Sequence, residues 1–117
     1  MPLPLNSEMI EAAYEYLSAT KPFSGWNLPH AEDMKFRVYK RRDRYADYRY
    51  KNGKHHINVS SVLVGSHMTL LSTLAHEICH LHMNATACLD MRTPHGAGFS
   101  KLADQICKVH GFDRLIF

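Results

Sequence analysis

Residues 68–83 restrict the fold more than any other stretch of this chain. Leu70, Leu71, Leu74, Ile78 and Leu81 recur at the spacing of one helix face. Within that helix stands His76-Glu77-Ile78-Cys79-His80. Side chains four residues apart lie on the same face, one turn above the other. Two imidazoles so placed can share one tetrahedral metal ion, with zinc–nitrogen bonds of about 2.0–2.1 Å. Glu77, one position on from His76, brings a carboxylate beside that point. Nine histidines in one chain make chance pairs common, so the reading rests on the intervening glutamate and on the amphipathic helix around it.

Three protein donors and one open position make a catalytic zinc site, so a third ligand is expected downstream. No glutamate follows Glu77, which excludes a glutamate in that role. The elongated motif with a glycine at 83 and a histidine at 86 is also absent, because Met83 and Thr86 stand there. His82, His95 and His110 remain. His82 lies about 200° around the helix from His80 and points away. His110 ends the last helix, where a cation suits the dipole. His95 opens that helix after a loop long enough to fold back, and is the best candidate. Asp104 is the runner-up. Asp90 and Asp113 read as surface or capping groups. Cys88, in the loop, is a spare donor.

The remaining pattern reads as a single α+β domain spanning 1–117. A first helix over about 7–20 carries Ile10, Ala13, Tyr14 and Leu17 on one stripe, and Lys21-Pro22 ends it. Trp26 reads as a core or lid anchor. Residues 34–39 alternate apolar with basic, as in a sheet with one wet face. A second strand is expected over 45–50 and a third over 55–59, with Ile57 and Val59 inward. Asn52-Gly53 between them suits a tight hairpin. Together these imply a three-stranded, mostly antiparallel sheet. The helix over 68–83 stops at Asn84 in this reading. A last helix runs from about Pro94 to Val109 or His110, buries Phe99, Leu102, Ile106 and Val109, and stops at Gly111. The tail 112–117 is apolar enough to dock on the core.

The two motifs together, His76-Glu77-x-x-His80 and His95-Gly96-x-x-Phe99, resemble the SprT-like domain, found in bacterial SprT proteins and the Spartan DNA–protein crosslink protease. The resemblance covers about residues 7–112. It implies a minimal zincin-like core with Zn2+ on His76, His80 and His95 and Glu77 as catalytic acid/base. It also implies a metallopeptidase that cleaves protein or peptide substrates, with DNA-associated proteins among the candidates. The sequence ends without the cysteine-rich ribbon or DNA-binding extension that many family members carry. A stand-alone core of this size suits a phage or mobile-element gene acting in a host cytoplasm.

Between residues 35 and 54 nine basic residues face only Asp43 and Asp47, a local charge of +7 in a chain of net +3. Tyr39, Tyr45, Tyr48 and Tyr50 are interleaved with them. Such a surface suits phosphate contact and base stacking, and equally the solvated face of a short sheet. The alternative to an enzyme is a zinc-stabilised module that binds nucleic acid or protein without turnover. Glu77 favours the enzyme, since structural zinc has no use for a base beside it. A fourth donor such as Cys88 would favour the module. Three cysteines in no ribbon spacing read as free thiols of a reducing compartment. With no secretory signal and no run long enough to span a membrane, a cytoplasmic protein without a membrane partner is expected.

Overall fold

The computed structural model describes residues 4–86 and 95–117. Helix α1 is Ser7–Ser18, followed by two short 3-10 turns, strands β1 (Met34–Tyr39), β2 (Ala46–Lys51) and β3 (Lys54–Ser60), then helices α2 (His67–Thr86) and α3 (Ala97–His110). Asn6 caps α1 by accepting from the Met9 N–H at 2.9 Å. Ser66 does the same for α2 through the Thr69 N–H at 3.1 Å. Gly111, at φ 77°, closes α3 in the left-handed conformation that glycine adopts without strain.

The sheet is mixed, with strand order β1-β3-β2. Asn52 and Gly53, both at positive φ, close the expected hairpin, so β2 and β3 pair antiparallel. β1, however, pairs parallel with β3 on its other side. Residues 40–45 therefore step across the end of β3 rather than turn back beside β1. Strands stand about 4.7–4.9 Å apart, so six residues span the gap easily. Ser60, fully buried at that crossing, holds it together. Its hydroxyl donates to the Arg41 carbonyl at 2.6 Å and accepts from the N–H groups of Val62 and Leu63 at 3.2 Å each. The Ser60 N–H donates to the Tyr45 carbonyl at 2.7 Å.

One face of the sheet presents Phe36 beside Ile57 and Val38 beside Val59. These pack with Ile10, Tyr14 and Leu17 of α1, with Leu70, Leu74, Ile78 and Leu81 of α2, and with Phe99, Ala103 and Ile106 of α3 in one apolar core. Two expectations shift. Val109 is 53% exposed, and Ala103 and Cys107 fill the buried face of α3 beside Phe99 and Ile106. Asn84 does not stop α2. It lies inside the helix, and its side-chain amide donates to the Tyr48 hydroxyl at 3.2 Å, a tertiary bond to β2 that leaves the helix free to continue. The expected start of the last helix at Pro94 lies outside the described residues; α3 begins at Ala97. No helix among the described residues is long and apolar enough to cross a membrane.

Candidate metal centre

His76 and His80 leave α2 one turn apart, and His95 approaches them from two residues before α3. Their Nε2 atoms form a small triangle: 3.2 Å from His76 to His80, 3.2 Å from His76 to His95, and 3.0 Å from His80 to His95. Around a tetrahedral zinc with bonds of about 2.0–2.1 Å, ligand atoms stand roughly 3.3–3.4 Å apart. The triangle fits that edge length to within a few tenths of an ångström. Three ring nitrogens cannot all satisfy one another by sharing protons, whereas a cation between their lone pairs satisfies all three. The donor set therefore fits one metal ion, and imidazole nitrogen suits zinc among other transition metals.

The side chains around the triangle prepare it. The Phe99 ring is buried beneath all three imidazoles, with centroids 4.8 Å from His76, 4.9 Å from His80 and 4.8 Å from His95. His76 donates from Nδ1 to the main-chain oxygen of Phe117 at 2.9 Å. That oxygen only accepts, so the proton sits on Nδ1 and the lone pair on Nε2. Burial pushes both His76 and His80 down to about 4, so each is neutral and able to ligate at physiological pH.

Glu77 is buried, 7% exposed, on the wall of a cavity of about 590 Å³ that it shares with His76, Tyr45, Ala46, Thr73 and Phe117. Among the described residues its carboxylate has no hydrogen-bond or ion-pair partner. Burial, reinforced by the charge of Asp47 and opposed by Arg44, raises it to about 8. A buried carboxyl group facing a cavity beside candidate metal donors is placed to exchange a proton.

The other residues singled out from sequence lie elsewhere. Asp104 is exposed and pairs with Arg114 at 2.7 Å. His82 stacks on Trp26 with ring centroids 4.2 Å apart, so both serve packing. His110 Nε2 lies 2.7 Å from the Lys21 carbonyl, and its ring stacks on Phe112. Asp113 accepts from the Leu115 N–H at 3.0 Å. Cys88 and Asp90 lie outside the described residues. Of the four tyrosines, Tyr45 lines the cavity. Tyr39 donates to Asp47 at 2.9 Å, and the Tyr48 hydroxyl lies 2.7 Å from His55 Nδ1. Sequence reasoning did not find the Phe117 oxygen as a partner of His76. The apolar tail was the one signal, and it predicted docking without a contact.

An α+β domain that converges three imidazoles beside a buried carboxylate has a site of the His-Glu-x-x-His kind that could hold a metal ion. The model of the SprT-like family matches residues 8–115, nearly the whole chain, and the chain belongs to that family. Membership is compatible with metallopeptidase chemistry. A comparison with curated proteins gives no match.

Proposed function

We propose that this protein is a zinc-dependent endopeptidase. The carrying observation is the convergence of His76, His80 and His95 at 3.0–3.2 Å beside the buried carboxylate of Glu77. His76, His80 and His95 would hold the ion, which when bound supplies Lewis acidity toward a water and a peptide carbonyl. In the ionised form that a cation beside it favours, Glu77 takes the proton of the attacking water on a carboxylate oxygen and returns it to the leaving amine nitrogen. Phe99 closes the floor of the site to solvent. Tyr45, on the cavity wall, is assigned as hydrogen-bond donor to the oxygen that gains charge. β2 is an edge strand with Ala46 on the cavity wall, which offers an extended peptide unpaired main chain.

All nine basic residues between 35 and 54 are exposed, and Asp43 and Asp47 pair with Arg41 and Arg44. This favours nucleic acid as a partner, and proteins on DNA as substrates. Retention on DNA that falls steeply with added salt supports the contact, and no retention at low salt removes it. A cytoplasmic setting suits the free thiols of Cys79 and Cys107.

Zinc content and casein cleavage, compared between wild type and Glu77→Gln, test the peptidase. Glu77→Gln should keep zinc and lose about 10²–10⁴-fold in turnover, the usual contribution of a general base. Equal cleavage by both proteins rejects the role of Glu77. A zinc-loaded wild type that cleaves nothing leaves the binding module as the better reading.

A further inference from the structure

We propose that the main-chain oxygen of Phe117 is a positioning group of the metal centre, holding the His76 proton on Nδ1 so that Nε2 is presented as a donor. The proposal rests on the reading that the three histidines bind a metal. Among the described residues, His76 alone of the three has a hydrogen-bond partner at Nδ1. Its partner comes from 41 residues away, so the contact is not a by-product of the helix. An acceptor at that nitrogen fixes both the tautomer and the ring orientation of a ligating histidine.

The segment that delivers the oxygen is built to hold it in place. Arg114 reaches back to Asp104 on α3 at 2.7 Å. The N–H of Leu115 donates to the Asp113 carboxylate at 3.0 Å, and that of Ile116 to the Asp113 carbonyl at 3.2 Å. These bonds turn the chain so that Leu115 and Ile116 stay 94% and 80% exposed. Phe117 turns inward beyond them, with its ring centroid 5.4 Å from His76 and 6.2 Å from both Phe99 and Phe112. A tail placed for apolar burial alone would not leave two large aliphatic side chains in water. Its path fits the contact that the Phe117 oxygen makes with His76.

Two measurements decide the matter. Zinc affinity, read by chelator competition, should fall about 10–100-fold when Phe117 is deleted, the usual cost of losing such a partner. Phe117→Leu keeps the oxygen and an apolar anchor, and should keep wild-type affinity. In metal-free wild type, ¹⁵N–¹H correlation of the imidazoles should show His76 protonated at Nδ1. That readout needs neither turnover nor a folded deletion variant. Wild-type zinc affinity in the deletion variant, or His76 protonated at Nε2, overturns the proposal. If wild type binds no zinc, the metal reading has failed, and the tautomer still decides whether Phe117 positions His76.

Discussion

The ring of Phe99 stacks against the imidazole of His80, with centroids 4.9 Å apart and planes 28° from parallel. The same ring touches His76 and His95, so one buried apolar side chain sets the height of all three donors. Phe99→Ala should cost about 3–5 kcal/mol of stability, as large-to-small aromatic changes in a core do. Zinc affinity should fall as well, because the rings lose their common support. Denaturant melts of the metal-free protein separate the two effects. Unchanged zinc affinity in a folded Phe99→Ala variant would mean the histidines are held from elsewhere.

His95 is exposed and precedes α3, whereas His76 and His80 are partly buried in α2. Removing it should therefore spare the core. We expect His95→Ala to melt at the temperature of metal-free wild type and to show no rise when zinc is added. Wild type should gain about 2.7 kcal/mol at a zinc concentration one hundred times the dissociation constant, and lose it to a chelator. A zinc-dependent rise that survives in His95→Ala would assign the third donor to another residue.

Acid should destabilise the metal-free protein in a defined window. His76 and His80 are pushed from 6.5 down to about 4 by burial. Between those values the unfolded chain binds more protons than the folded one, so stability rises with pH. Their contribution is complete above about 6.5 and is lost as pH falls toward about 4. Glu77, raised to about 8, acts in the opposite sense over this range, so thermal melts in a Glu77→Gln background from pH 6.5 to 4 should show the decline, and replacing both histidines with glutamine should flatten it. A decline of the same size in the double variant would place the acid sensitivity elsewhere.

Ser60 joins three main-chain groups at the point where residues 40–45 cross the end of β3. Ser60→Ala leaves those partly buried groups without their partner, and should cost about 1–3 kcal/mol. Because Tyr45 and Ala46 follow the crossing and line the cavity, peptide cleavage should fall too. Urea melts and casein cleavage check both, and a loss below the error of the melt would show that water replaces the hydroxyl.

Much of this was legible from local pattern. The spacing of His76 and His80 specifies one face of α2, because a helix turns by a constant angle set by its own hydrogen bonds. Asn52-Gly53 specifies the β2–β3 hairpin, because that turn needs two positive φ angles. The motif at 95–99 marks the third imidazole in the sequence itself. Tertiary structure alone decided the rest. Nothing in residues 34–51 says on which side of β3 the first strand pairs; that depends on Ser60 anchoring the crossing and on the shared core. Nothing near His76 announces Phe117, since contacts between distant segments follow from packing summed over the whole core. Local geometry chose the donors, and long-range packing brought them to one point with a floor, a wall and an oriented ring.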